Sequence, residues 1–224
     1  MEYFYLYIFI LTCFIMAVSY YNTYMSAYLE AFESKQKMFI LLGDSIFKND
    51  EYVSDGKSVN DLLQERKHNK SLCLAVDHSK IVDIYSQLEQ IPPGADNDST
   101  VVFLSAGGND ILTYYVDQEH SADDTSVLGP MFGAYKKLIT RIQTLLPKAK
   151  LVLLDIYYPE NLKYTQYHPV IKDWNTTIYN YASKNKYEVL KISKVLTKSE
   201  DFSFGIEPSA TGSRKIVETI VTSY

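Results

Sequence analysis

The chain has 224 residues, of which 46% are hydrophobic and 22% charged, with a formal net charge of -5 and two cysteines. This composition supports a packed core and excludes general disorder. The lysines are scattered rather than gathered into a basic run, which removes the usual footprint of nucleic-acid binding, and Cys13 and Cys73 are too few to make a disulfide framework.

Residues 3–29 contain no charged side chain. At 1.5 Å per residue, ~20 apolar residues cross a hydrocarbon core of ~30 Å. Segment 1–29 is therefore read as a membrane anchor, or as a signal segment cleaved near Ala17-Val18-Ser19, where small residues stand two apart. The first reading places the protein at a membrane through a single N-terminal span; the second makes it secreted. Glu2 and the lack of Lys or Arg ahead of the apolar run weigh against cleavage, and the absence of a polar face weighs against a buried soluble helix. Lys35 and Lys37 lean weakly towards a cytoplasmic C-terminal side. Residues 30–37 are read as a linker and 38–224 as one domain.

Beyond the leader, short apolar runs alternate with longer amphipathic stretches. Runs 37–43, 71–76, 100–105, 149–156 and 187–192 are short and bounded by turn residues, as buried strands are. Stretches 59–67, 80–90, 130–146, 169–184 and 210–221 read as helices, with Ser58 and Ser209 placed to cap two of them. Strands alternating with helices imply right-handed crossovers and an α/β fold with a parallel sheet covered on both faces. Sites in such sheets form beyond the carboxyl ends of the strands. The acidic, apolar-poor stretch 118–129 is read as a loop near that site.

The first strand ends in Gly43-Asp44-Ser45, which puts a hydroxyl at the mouth of the sheet. Alone, this tripeptide is an ordinary turn. The third strand ends in Gly107-Gly108-Asn109-Asp110, whose glycines permit a tight turn that projects the Asn109 amide. Such an amide can donate to a developing oxyanion, or merely cap its own loop.

In this order the blocks resemble the SGNH/GDSL hydrolase family. The resemblance covers Gly43-Asp44-Ser45, Leu74-Ala75-Val76-Asp77 with His78 where the family has a glycine, Gly107-Gly108-Asn109-Asp110, Tyr158-Pro159, Trp174-Asn175 and Pro208-Ser209-Ala210-Thr211-Gly212. It implies a flavodoxin-like three-layer α/β/α domain with a five-stranded parallel sheet. It also implies cleavage of acyl esters, lipids or acylated glycans, with Ser45 as nucleophile. The oxyanion hole would be formed by the Ser45 N–H, the His78 backbone N–H and the Asn109 side chain.

The last block departs from the family pattern Asp-x-x-His-Pro-Ser, because this chain reads Phe204-Gly205-Ile206-Glu207-Pro208-Ser209. Glu207 stands in place of the histidine base and Phe204 in place of its orienting acid. An unperturbed Glu is a weaker base than His by about 2 pKa units, or ~3 kcal/mol, unless burial raises it. Two readings follow: a serine hydrolase with Glu207 as an atypical base, or an inactive pseudo-hydrolase that binds an acyl or sugar ligand or a protein partner. The remaining histidines do not obviously rescue the base: His78, on the oxyanion loop, keeps its backbone N–H and is the one weighed as a substitute base, while His68, His120 and His168 read as solvated. No cofactor is implied, and Asp44, Asp77 and Asp110 read as turn and cap residues rather than a metal set, since no His or Cys joins them at ligand spacing. The expected partners are a small-molecule ester or glycan and the membrane.

Overall fold

The computed structural model describes residues 2–66 and 69–224, so the predicted end of the 59–67 helix and His68 lie outside the described residues. The chain divides into two compact units, 1–36 and 37–224. The first is one helix, α1 (Glu2–Lys35), which contains 20 residues, Tyr7–Ser26, long and apolar enough to cross a membrane. Phe9, Ile10, Phe14 and Ile15 are exposed on it, while the Thr12 and Thr23 hydroxyls donate back to the Ile8 and Ser19 carbonyls at 2.8 and 3.0 Å. These two hydroxyls are thus satisfied within the helix.

The second unit runs β1 (Lys37–Leu42), α2 (Val59–Gln64), β2 (Asn69–Cys73), α3 (Ile84–Leu88), β3 (Thr100–Leu104), α4 (Gly108–Leu112), α5 (Leu128–Leu145), β4 (Lys150–Leu154), α6 (Leu162–Thr165), α7 (His168–Asn185), β5 (Glu188–Leu190), α8 (Ile192–Val195), β6 (Phe202–Ser203), β7 (Glu207–Pro208) and α9 (Ala210–Ser223). The first five strands form one parallel sheet in the order β2-β1-β3-β4-β5. This is the flavodoxin-like order, and its switch point lies between β1 and β3.

Alternation along the strands builds the three layers. Ile40, Leu42, Val102, Leu104, Leu151 and Leu153 face one way and pack with residues of α3, α5 and α7, including Tyr135 and Trp174. Their neighbours Phe39, Leu41, Val101, Phe103, Val152 and Leu154 face the other way and pack on α2 and α9 through Leu63, Ile216 and Ile220. The period of two along a strand is what divides one apolar run between two cores.

Ser58 accepts from the Asp61 N–H in a capping box on α2, and Ser209 accepts from the Thr211 and Gly212 N–H groups on α9. Several predicted bounds shift. The 80–90 helix shrinks to α3 because the Lys80 N–H goes to Asp83 Oδ2 at 2.9 Å and the Ile81 N–H to Asp110 Oδ2 at 3.0 Å, which keeps that turn out of a helix. The 71–76 strand becomes β2, and 187–192 becomes β5, since Ile192 already opens α8.

Candidate active site

Leu42 of β1 lies level with Leu104 of β3, so the chain segments leaving these strands touch. Gly43 has φ 139°, and a Cβ there would stand 2.2 Å from the Ser105 carbonyl oxygen, so only glycine fits. Gln87 of α3, fully buried, pins it from both sides. Its Oε1 accepts the Gly43 N–H and its Nε2 donates to the Gly43 carbonyl, both at 2.8 Å, with a further bond to Ser79 Oγ at 3.1 Å.

Asp44 and Ser45 follow, both buried. Asp44 Oδ1 accepts from Ser105 Oγ at 2.8 Å and from the Ile46 N–H at 3.2 Å. Burial pushes its carboxyl up to about 6, against the lowering effect of those bonds. Among the described residues, no backbone partner takes the Ser45 N–H, which leaves it available.

At the end of β3, Gly107 has φ 104°, and a Cβ there would meet the Trp174 ring at 2.4 Å. This glycine is required by its backbone and by its neighbour alike. It starts α4, from which Asn109 Nδ2 donates to the Ser79 carbonyl at 3.0 Å and keeps one amide hydrogen to spare.

His78 adopts φ 59°, the left-handed conformation that suits the glycine of the family pattern. Its N–H, expected to face an oxyanion, donates to Asp77 Oδ1 at 2.7 Å. The imidazole is 80% exposed, with Nε2 3.5 Å from Asp77 Oδ2, which also accepts the Tyr52 hydroxyl at 2.5 Å. His168 Nε2 is instead bonded to the Pro159 carbonyl at 2.8 Å, and His120 stacks on Tyr114 with ring centroids 4.0 Å apart.

The last block is held by its own polar frame. Fully buried Asp201 pairs with Lys215 at 2.6 Å and accepts the Thr197 and Lys198 N–H groups, while its carbonyl accepts the Ser209 N–H at 2.8 Å. Burial alone would raise the Asp201 carboxyl, but Lys215 and the two N–H donors bring it below the usual value. Asn49, four residues past the nucleophile position, donates to the Pro208 carbonyl at 2.9 Å and to Ser213 Oγ at 2.7 Å, and accepts the Val59 N–H at 3.0 Å. The first and last motifs are thereby tied together through one buried amide.

Within that frame, Ser203 of β6 pairs with Glu207 of β7 across a tight turn closed by the Ile206 N–H on the Ser203 carbonyl at 3.2 Å. The turn needs positive φ twice, 53° at Phe204 and 72° at Gly205. Glu207 follows it into the interior. Burial raises its carboxyl to about 7; the Ser45 hydroxyl facing it lowers it, Asp44 and Asp77 raise it and His78 lowers it. Among the described residues Glu207 Oε2 is buried with no partner.

Ser45, Asn109 and Glu207 therefore line one chamber, with a wall that includes Ile111, Leu112, Ile156, Tyr157 and Ile171. His78 does not line it; its ring lies in an adjoining chamber that Asn109 and Glu207 also border. Of the residues that hold the site, sequence reasoning named Asn175 only through the family resemblance and gave Asp155 no role. Asp155 also borders the chamber and accepts the Ser193 N–H at 2.9 Å, the Ser193 hydroxyl and the Tyr179 hydroxyl, while Asn175 Oδ1 accepts the Ile156 N–H at 2.8 Å. Asp155 was within reach of the strand-end rule, because it directly follows β4.

The fold, with its site beyond the strand ends, defines a three-layer α/β/α domain of flavodoxin type. Residues 41–215 match the GDSL-like lipase/acylhydrolase family model, and the chain belongs to that family. No curated protein sequence matches it. Among solved structures, a lipolytic protein of the G-D-S-L family from Veillonella parvula has a TM-score of 0.66 at 17% identity, covering 84% of this chain and 98% of that one. Phospholipase A1 from Streptomyces albidoflavus has a TM-score of 0.63 at 15% identity, covering 84% and 100%. An extracellular lipase from Streptomyces rimosus has 0.60 at 14%, again covering 84% and 100%. At these identities the likeness is one of fold.

Proposed function

We propose that the protein hydrolyses short-chain acyl esters, with Ser45 as nucleophile and Glu207 as the base. The observation that carries this reading is that the half-buried Glu207 lines one chamber with Ser45 and Asn109, where burial pushes its carboxyl up to about 7. A general base works best near the operating pH, and burial has closed the ~2-unit gap between an ordinary Glu and a His. A histidine needs a partner to fix its tautomer; a carboxylate has none to fix, so the loss of the acid at Phe204 removes a group that Glu207 does not require.

In this reading Ser45 Oγ attacks the acyl carbon as its proton passes to Glu207. The carbonyl oxygen becomes an oxyanion facing the free Ser45 N–H and the spare Asn109 hydrogen. Collapse breaks the ester bond, and the departing alkoxide takes the proton from Glu207. Water then repeats the sequence on the acyl-serine: Glu207 accepts its proton, the acid is released, and the proton returns to Ser45 Oγ. The His78 N–H is spent on Asp77, so the hole has two donors rather than the family's three.

The apolar chamber holds about 60 Å³. That is room for a short acyl chain and not for a long one. Acetyl and butyryl esters are expected to turn over and decanoyl esters to fail, and Ser45→Ala to be inert towards all. Equal inertness of the wild type would favour the pseudo-hydrolase, the reading to which the occupied His78 N–H and the missing imidazole lend support.

We further propose that α1 anchors the protein in a membrane. The full chain is then expected to resist alkaline extraction from membranes and to yield to detergent, and removal of residues 1–34 to release a soluble, folded domain. A deleted form that stayed insoluble and misfolded would contradict this.

A further inference from the structure

The segment that follows β4 is pinned along its length by α7 and α8. Asp155 accepts from Ser193 and Tyr179, and the Asn175 side chain takes both the Ile156 N–H and the Ile156 carbonyl, at 2.8 and 2.6 Å. The Pro159 carbonyl lies 2.8 Å from His168 Nε2. Residues 155–159 therefore form a bracket fixed to two helices rather than a free loop.

From this bracket, hydrogen bonds reach three consecutive carbonyls of the β6–β7 turn. The Asn161 side chain donates to the Phe204 carbonyl at 3.4 Å, the Asn161 N–H to the Gly205 carbonyl at 3.1 Å, and the Tyr157 hydroxyl to the Ile206 carbonyl at 2.5 Å. The last is the shortest, and it is made by a buried side chain. The Tyr157 ring packs on Phe202 of β6 with centroids 5.4 Å apart, and it borders the chamber that Ser45, Asn109 and Glu207 line. The Ile206 carbonyl and the Glu207 N–H belong to one planar peptide unit, so a donor that fixes the carbonyl also fixes the direction in which residue 207 leaves the chain. A carboxylate has no tautomer to set, but it still has to be aimed. Phe204 carries no group that could do so.

We infer that Tyr157 is the positioning residue of the base: its hydroxyl, acting through the Ile206 carbonyl, aims Glu207 into the chamber beside Ser45 and keeps water from it. This rests on Ser45 and Glu207 being the reacting pair. The orienting part of the task that the family pattern gives to an acid at position 204 then belongs to a phenol on a different strand end, with Asn161 as its weaker companion.

Tyr157→Phe in the full chain in detergent removes the hydroxyl and keeps the ring, so the chamber wall stays in place. The groups that act on Glu207, namely Asp44, Asp77, His78 and the Ser45 hydroxyl, are untouched, as are Asp155, Lys80 and Asp117 around the two chambers. A change in how Glu207 titrates therefore reports its placement and burial. Two quantities are read: the midpoint of the Glu207 carboxyl by NMR of carbon-13-labelled glutamate, assigned with Glu207→Gln, and the kinetics of p-nitrophenyl acetate hydrolysis. Tyr157→Phe is expected to lower the midpoint by about one pH unit, as water returns to the carboxylate, and to lower kcat by about tenfold with KM within about twofold. Asn161→Ala, which removes the longest of the three bonds, is expected to move both the same way by less. Tyr187→Phe is the control, since it removes a phenol hydroxyl bonded to Gln143 away from the chamber, and it is expected to change neither. An unmoved midpoint in both bracket variants, or a loss of activity that appears in KM rather than kcat, would overturn the inference. A wild type inert towards esters whose Glu207 midpoint still falls in Tyr157→Phe would sink the catalytic reading and leave the positioning standing.

Discussion

The nucleophile end of the site and the block that carries Glu207 are built on different principles. At Ser45 the side chains and the backbone are specified together: Gly43 and Gly107 have no room for a Cβ, and Gln87 holds Gly43 with both ends of its amide. At Glu207 the position is specified by the Asp201–Lys215 pair, the Asn49 amide and the β6–β7 turn, none of which depends on what side chain stands at 207 or 204. The frame that holds this position does not depend on which residue it carries. A carboxylate carried into that place acquires by burial the proton affinity that an imidazole has by nature.

Perturbing the two ends should therefore give effects of different kind. The largest is expected at Ser45, where Ser45→Ala removes the nucleophile and lowers kcat on short esters by at least about 10³-fold with Tm unchanged. Next is Asn109→Ala, which removes one oxyanion donor and is expected to cost about 10²-fold in kcat with little change in KM. Breaking the frame of the last block acts on stability instead. Lys215→Met leaves buried Asp201 without its cation, for about 3 kcal/mol and a fall in Tm of about 5–10 °C by thermal melting. The smallest effect has the opposite sign. The folded pKa of Glu207, about 7, lies above its ordinary 4.5, so the stability linked to this group is fully present below pH 4.5 and is lost as pH rises through 7. Glu207→Gln removes that loss, and is expected to match the wild type near pH 4.5 yet exceed it at pH 8 by on the order of 1–2 kcal/mol, a few degrees in Tm.

The sequence carried the architecture well, because five short apolar runs ending in turn residues can satisfy their backbone only as ladder strands, and alternation then divides them between two cores. It carried Ser45, Asn109 and Glu207 into one chamber through the order of the motifs. The holding residues were not legible. Asn49 reaches 159 and 164 residues along the chain to its two acceptors, and Gln87 reaches 44 residues to Gly43; such pairings leave no local pattern. The occupied His78 N–H was hidden for a different reason. Its acceptor is the side chain of the preceding residue, and only the backbone angles at 77 and 78 decide whether that carboxylate turns back or away.

The account turns on whether Glu207 takes the Ser45 proton, and the pH dependence of Ser45 labelling by a serine-directed phosphonate tests this most directly, in the full chain and in Glu207→Gln. The wild-type rate is expected to rise with pH to a plateau with a midpoint about 7, since only the ionised carboxylate accepts a proton. Glu207→Gln is expected to label at least about 10²-fold more slowly, with that midpoint gone. Labelling of the Gln variant at the wild-type rate, or with the same midpoint, would show that the proton goes elsewhere and would contradict the assignment of Glu207 as the base.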